Sequence, residues 1–320
     1  MGMASILLVT FPFFALVAAG YLAARRGWLP LAAIPGLNGF VLFFALPAML
    51  YRFGASTPIA QLLDPTVAGV WLVCALLVVG LAVVFSLGGR IGWNDAAFGA
   101  LVAAFPNSGF MGVPLIAALL GPLAVGTVIV VIVVDMVITS SLCIALSRLD
   151  AGEGGARAAL RQALLGVLRN PMPWAIGAGA LASAWRLTLP GPLDKTVALL
   201  ADAASPVALF TIGAVLARSQ MQADHPMPWR DYVPLALVKL ALHPLLVLLL
   251  GAAAARLGAP LQASTLTVLV LTAALPSASN VSLLAERMGA DNGRIARIIL
   301  VSTALAFVSF SAATAWLRPG

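Results

Sequence analysis

The sequence predicts an all-α membrane protein with about ten transmembrane helices. Of its 320 residues, 62% are hydrophobic and 9% are charged, and the mean hydropathy is +1.06. A soluble domain has about 45–50% apolar and about 25% charged residues, whereas a helix needs ~20 mostly apolar residues to cross a bilayer. Strands of an outer-membrane barrel would alternate in polarity over ~10 residues. The long apolar runs therefore exclude a soluble enzyme, a disordered chain and an outer-membrane barrel.

Apolar windows divide the chain into two halves of five spans each. They lie near 4–24, 31–51, 66–88, 96–120, 122–147, 171–189, 196–217, 232–255, 262–287 and 295–317. A polar stretch separates the fifth window from the sixth, so we predict a first five-helix repeat over 1–147, a connector over 148–170 and a second repeat over 171–320. An odd number of spans per half inverts the second half in the membrane, as in many secondary transporters. Pro12 and Gly20 recur at the same spacing as Pro171 and Gly179.

The basic residues predict the orientation. Twelve of the 18 Lys and Arg residues fall on the side of the connector and five on the other, with Lys239 inside a span. Because cytoplasmic loops retain Lys and Arg, we predict a plasma-membrane protein with a cytoplasmic connector and both termini outside. The net charge of +7 follows from this loop bias, so we expect the lipid bilayer and no nucleic acid as partner.

Spans four and nine each contain a polar, helix-breaking cluster near the centre. Proline removes a backbone donor and clashes with the carbonyl four residues earlier, and non-helical backbone survives in hydrocarbon only when it is buried or lines a cavity. Two such breaks at corresponding positions indicate a transporter binding site. The helix that follows each break begins with N–H groups that attract a carboxylate. The alternative is that both are proline kinks used only for packing. The candidate substrate-binding residues here are Pro106, Asn107, Ser108, Gly109, Pro276, Ser277, Ser279 and Asn280.

Four ionisable residues within the spans are candidates for ion coupling. Asp135 lies in the middle of span five, where an ionised carboxylate costs at least ~2.5–3.5 kcal/mol, and could hold a cation or exchange a proton. Lys239 and His243 share one face of span eight, and Asp202 lies early in span seven. Structural readings stay open for each of them. Asp135 could be a hydrogen-bonding residue, and Lys239 could pair with Asp231 or snorkel. His243 could cap the bend at Pro244, and Asp202 could be a solvated or helix-start charge.

Asn38 in span two and Ser205 in span seven occupy comparable positions. Both are candidates to contact substrate, or alternatively to join helices by hydrogen bonds.

Four segments resemble the auxin efflux carrier family, which includes bacterial organic-acid carriers of the malonate type. They are FPNSGFMGVPL, LPSASNVSLLAERMGAD, SPVALFTIGAVLA and KLALHPLL. The resemblance implies a fold similar to bile-acid sodium symporters and sodium/proton antiporters, with crossed broken helices. Spans one, two, six and seven would form a scaffold, and spans three to five and eight to ten a transport domain that moves like an elevator. A homodimer through the scaffold is also implied, whereas the short connector argues against auxin itself as the substrate.

The function expected from these observations is a secondary carrier of small organic anions, without a cofactor. The two histidines are too far apart for a zinc motif, and a nucleophile elbow is missing, so we do not expect an enzyme. A sodium- or proton-coupled symporter of another solute, or a channel or sensor, are the alternatives. Span nine has no acidic residue beside its break, which leaves Asp135 as the place for a coupling sodium ion or proton.

Overall fold

The computed structural model describes residues 3–88, 90–149, 155–222, 227–259 and 261–317. Within these ranges the regular structure is helical, with two isolated β-bridges and no strand longer than a bridge. The helices are α1 (Met3–Arg25), α2 (Leu31–Ser56), α3 (Pro65–Ser86), α4 (Trp93–Ala104), α5 (Ser108–Leu120), α6 (Pro122–Leu146), α7 (Gly155–Arg169), α8 (Pro171–Trp185), α9 (Gly191–Met221), α10 (Val233–Arg256), α11 (Ala263–Ala273), α12 (Asn280–Arg287) and α13 (Asn292–Leu317).

Seven of the described helical segments are long and apolar enough to cross a membrane. They are α1, α2, α3 together with the short helix Ile59–Leu62 before it, α6, α9, α10 and α13. The prediction of an all-α, multi-pass membrane protein is therefore confirmed. The predicted sixth span corresponds to α8, which has 15 residues and is about 22 Å long at 1.5 Å per residue. The predicted fourth and ninth spans each consist of two short helices, α4 with α5 and α11 with α12.

Local sequence explains where several helices begin. Asp64 precedes Pro65, and its carboxylate accepts hydrogen bonds from the amides of Thr66 and Val67, at 2.9 and 3.1 Å. Before Pro171, the side-chain oxygen of Asn170 accepts from the amide of Met172 at 3.0 Å. Each is an N-cap followed by proline in the first helical position, where the missing N–H has no intrahelical partner to lose.

Four helices contain one widened, π-helical turn: Val41–Ala45 in α2, Ser108–Gly112 in α5, Asp135–Thr139 in α6 and Val238–Leu242 in α10. In α2, α5 and α10 a proline follows the turn by two residues, so its ring would otherwise clash with a carbonyl inside the turn. The turn in α6 has no such proline. There the hydroxyl of Ser140 donates to the carbonyl of Asp135 at 2.8 Å.

Close contacts at glycine join two pairs of helices. A Cβ at Gly20 of α1 would lie 1.8 Å from the carbonyl oxygen of Phe210 in α9, and a Cβ at Gly213 would lie 1.9 Å from that of Val17. In the second pair, a Cβ at Gly179 of α8 would lie 2.6 Å from the carbonyl oxygen of Tyr51 in α2. Only a residue without a side chain permits backbones to approach this closely, as is common between membrane helices.

Part of the predicted connector forms the amphipathic helix α7. Its small residues Ala159 and Ala163 are buried against the body of the protein, whereas Leu160 and Leu168 are exposed. The indole of Trp174 at the start of α8 donates to the carbonyl of Leu168 at 2.7 Å, which ties the end of α7 to α8. Residues 150–154 of the predicted connector lie outside the described residues.

Candidate substrate site at the crossing of two interrupted helices

The two interruptions lie directly against each other. The amide of Asn107 donates to the carbonyl of Pro276 at 2.8 Å, and the amide of Ala278 donates to the carbonyl of Phe105 at 3.0 Å. Pro106 and Ser277 thereby form one antiparallel bridge. Both helices are thus interrupted at the clusters that the sequence singled out, and the two interruptions are in contact.

The crossing satisfies backbone groups that the proline breaks would otherwise leave unpaired. Each interruption is the hydrogen-bonding partner of the other, and the carbonyl of Asn107 accepts from the amides of Met111 and Gly112, at 3.2 and 2.9 Å, to begin α5. On the other side, the hydroxyl of Ser302 in α13 accepts from the amide of Ser277 at 3.2 Å. Because unpaired backbone groups are costly in an apolar interior, this pairing explains how two unwound segments persist there.

Polar side chains surround the crossing. Asn107, Ser108, Ser277 and Ser279 are all buried. The hydroxyls of Ser108 and Ser277 have no hydrogen-bond partner within the described part of the chain, and a buried hydroxyl without a partner calls for an explanation. Both α5 and α12 begin here, where a first turn leaves N–H groups without intrahelical partners, although the amides of Ser108, Val281 and Ser282 already donate to nearby carbonyls. The crossing therefore offers donors that the described residues do not fully use.

A narrow pocket opens on one side of the crossing. Ser279 and Asn280 line it from the second interruption, Asn38 from α2 and Thr211 from α9. Its free volume is about 10 Å³, which is room for about one water molecule. Of the two predicted substrate contacts in the second and seventh spans, Asn38 is among the lining residues and Ser205 is not. Thr211 lines the pocket from α9 instead, and the sequence did not single out this residue.

A larger cavity of about 570 Å³ reaches the crossing from the side of α7. Asn280 lines this cavity as well as the narrow pocket, so the two meet at this residue. The walls of the larger cavity are mostly apolar and include Phe105 of the first interruption. Arg169 at the end of α7 and Arg287 at the end of α12 also line it, and both are exposed. The cavity therefore extends from the crossing to two exposed basic side chains.

Asp135, Lys239, His243 and Trp71, here called the buried ion cluster, are all fully buried. One carboxylate oxygen of Asp135 accepts from the indole of Trp71 and from the hydroxyl of Thr139, both at 2.9 Å. The other oxygen has no hydrogen-bond partner in the described residues. Three of the predicted ion-coupling candidates are thus brought together, from α6 and α10.

Lys239 connects the buried ion cluster to the second interruption. Its ammonium lies 3.1 Å from Nδ1 of His243 and donates to the carbonyl of Ala273 at 2.8 Å. Ala273 is the last residue of α11, immediately before the unwound segment. The Trp71 and His243 rings pack with their centroids 5.0 Å apart, and Nε2 of His243 has no partner among the residues described.

Asp202 does not join the buried ion cluster. Its carboxylate accepts from the guanidinium of Arg52 at 3.0 Å, and both side chains are largely exposed. Within the described ranges, including the buried ion cluster, no group of three or more His, Cys, Asp or Glu side chains is arranged to hold a metal ion.

A buried arginine that sequence reasoning treated as part of the cytoplasmic charge bias joins several helices. Arg294 in α13 is 3% exposed. Its guanidinium donates to the carbonyls of Asp231 and Asp95, each at 2.8 Å, and to the hydroxyl of Ser86 at 3.1 Å. A Cβ at Gly99 would lie 2.8 Å from the same guanidinium. Gly99 is the sequence feature that accompanies this arginine, because a residue without a side chain in α4 leaves space for the guanidinium.

Comparisons with known proteins agree with a transport role. A family model described as membrane transport protein matches residues 5–314. The chain is 30% identical over 330 residues to a protein of Rhizobium meliloti named "Putative malonate transporter", covering 99% of this chain and 98% of that protein. It is 27% identical over 284 residues to the "Uncharacterized transporter YfdV" of Escherichia coli, covering 86% of each chain. These names describe transporters and not enzymes. The chain therefore belongs to this membrane transport protein family, as its resemblance to auxin efflux carriers predicts.

Proposed function

We propose that the protein is a secondary carrier of small organic anions and that it binds the substrate carboxylate where the interrupted helices cross. The observation that carries this proposal is the direct pairing of the two interruptions through Asn107 and Ala278, which brings the first turns of α5 and α12 together. Helix N-termini attract anions through their free N–H groups and their partial positive charge. The side chains of Asn280 and Ser279, beside the narrow pocket, add further donors.

The glycine contacts support an arrangement in two inverted repeats. Gly20 of α1 contacts α9 close to Gly213, and Gly179 of α8 contacts α2 close to Gly54. Adding 159 to the residue number converts Gly20 of the first half into Gly179 of the second, and Gly54 into Gly213. The contact of α1 with α9 near Gly20 and Gly213 therefore corresponds to the contact of α8 with α2 near Gly179 and Gly54. Two repeats related by a pseudo-two-fold axis are expected to contact each other in this reciprocal way.

The transport mechanism that fits this plan is elevator-like. α1, α2, α8 and α9, which hold the close glycine contacts, would form the scaffold and the homodimer interface. The remaining helices would carry the crossing past the scaffold. The narrow pocket at Asn38 and Thr211 then lies between the two parts. Its free volume of about 10 Å³ leaves no room for a carboxylate there, although the larger cavity reaches Asn280 from the side of α7. Both termini would lie outside and α7 in the cytoplasm, from the distribution of basic residues.

The larger cavity would be the cytoplasmic path to the site. It connects Asn280 with Arg169 and Arg287, and arginines at a cavity mouth raise the local concentration of anions. An inside-negative potential favours the outward movement of an anion by ~2.3 kcal/mol per charge per 100 mV, so export through this path needs no coupling ion. Coupling to sodium or protons is the second candidate, and the unpaired carboxylate oxygen of Asp135 is the observation that favours it.

Uptake into vesicles tests the proposal. The full chain is reconstituted and supplied with labelled malonate and a panel of mono- and dicarboxylates. Loss of one hydrogen bond to a charged group costs about 1.5–3 kcal/mol, which is about 10- to 150-fold in affinity. We expect this loss for a transported carboxylate in Asn280→Ala and Asn107→Ala. Asn94→Ala is the matched control, since the Asn94 amide donates to the carbonyl of Met288 and not at the crossing. Full uptake by both crossing variants would contradict the site.

A further inference from the structure

Lys239 places its ammonium at the C-terminal end of a half-helix, beside an unwound segment. Coupling cations in many secondary transporters are coordinated by unwound backbone carbonyls and by the C-terminal ends of half-helices. Here the ammonium of Lys239 donates to the carbonyl of Ala273 at 2.8 Å, and Ala273 ends α11 directly before the second interruption. The C-terminal carbonyls of a helix carry a partial negative charge, so a positive charge is already in place at this end.

Asp135 is the other negative group beside this ammonium. The carboxylate is joined to the ammonium through Trp71 and His243 and not by a direct salt bridge, and one carboxylate oxygen is free of hydrogen bonds within the described residues. The further side chains in contact with the pair are neutral or shared: Trp71 and Thr139 donate to the carboxylate, and His243 lies 3.1 Å from the ammonium. The negative charges are thus balanced by one lysine, and a second cation would meet like-charge repulsion.

We infer that Lys239 is a built-in counter-ion for Asp135 and for the C-terminal end of α11, and that it excludes sodium from this site. Lys239 is then a positioning residue: it holds the second interruption in shape with a tethered charge, where a sodium-coupled relative of the same plan would use a free ion. The role of this counter-ion in transport rests on the proposed carrier function. The contacts from which we infer it are within the protein and involve no substrate.

Removing the lysine should create a sodium site from the oxygens it leaves behind. Thermal unfolding of the full chain in detergent is measured in sodium chloride and in choline chloride at equal concentration, without any organic anion. For wild type, and for Lys195→Ala as a control at the exposed second lysine, we expect the same midpoint in both salts. For Lys239→Ala we expect a lowered midpoint in choline and a saturable rise with sodium. Asp135→Asn combined with Lys239→Ala should abolish that rise.

Three results would overturn the inference: a saturable sodium-induced rise in wild type, a Lys239→Ala protein that is as stable as wild type in choline, and a folded Lys239→Ala protein without a sodium-induced rise. A sodium response that persists in the double variant would remove Asp135 from the site. Should Lys239→Ala not fold, the charge-neutral pair Asp135→Asn with Lys239→Met replaces it. Recovery of that folded double variant supports the counter-ion, and failure of both contradicts it. Because no substrate is present, a failed transport assay leaves this test intact.

Discussion

Replacing Gly213, Gly179 and Gly177 by alanine should change the stability of the protein to different extents, because only the first two lie at close helix contacts. A new Cβ would lie 1.9 Å from the Val17 carbonyl oxygen at Gly213 and 2.6 Å from that of Tyr51 at Gly179, whereas at Gly177 nothing lies within 4 Å. Ordinary contact begins near 3.4 Å. The helices must therefore separate by up to about 1.5 Å in the first case and about 0.8 Å in the second.

The cost follows from the lost packing. A gap of 0.5–1 Å forfeits about a quarter to a half of the dispersion energy between facing atoms, and overpacking costs about 1–3 kcal/mol and occasionally more. We expect Gly179→Ala to fall within that range and Gly213→Ala at or above its upper end. Gly177 lies in the same helix as Gly179 but makes no close contact. Gly177→Ala therefore measures the effect of helix propensity alone, which favours alanine by about 1 kcal/mol.

The chain carries its own probe for this assay. Its two cysteines, Cys74 and Cys143, are free and fully buried, so a thiol-reactive dye reports unfolding as they become accessible. The midpoint should fall in the order Gly177→Ala, Gly179→Ala, Gly213→Ala, with the first at or above wild type. A Gly213→Ala midpoint equal to wild type would refute the close approach of α1 and α9.

Two further predictions concern charged side chains away from the crossing. Arg294→Ala leaves the part-buried carbonyls of Asp231 and Asp95 without their guanidinium donor. An unsatisfied acceptor costs about 1–3 kcal/mol, so we expect a loss of stability of that size for each carbonyl, seen as a lower dye midpoint. An unchanged midpoint would show that Arg294 does not hold these helices together. Asp202→Asn breaks an exposed ion pair with Arg52, and exposed pairs contribute about 0–1 kcal/mol. We expect near-normal uptake and midpoint, and a transport defect would place Asp202 in the pathway.

The helix breaks could be predicted from sequence because their cause is local. Pro106 and Pro276 each remove a donor and sit beside Asn and Ser, which can replace the lost bonds. The widened turn before Pro244 has the same local origin, yet a single proline does not distinguish a kink from a π-helical turn. The turn at Asp135 was harder still, since it depends on the hydroxyl of Ser140.

The residues that the sequence could not place depend on tertiary packing. α9 is apolar around much of its circumference, so periodicity could not show that Thr211 and not Ser205 faces the crossing. Lys239 and His243 were recognised as neighbours on one helix face, but their contact with the end of α11 needed the fold. Arg294 looked like one more cytoplasmic charge because burial is not visible in a residue near a span end.

Binding at the crossing is most directly tested by determining the structure of the full chain with the carboxylate that gives the largest upward shift of the dye midpoint. We expect the carboxylate to lie between the two interruptions, within hydrogen-bonding distance of the amide or side chain of Asn280 or Ser279, with the narrow pocket enlarged around it. A carboxylate bound only at surface arginines such as Arg25, with the crossing still closed, would contradict the proposed site.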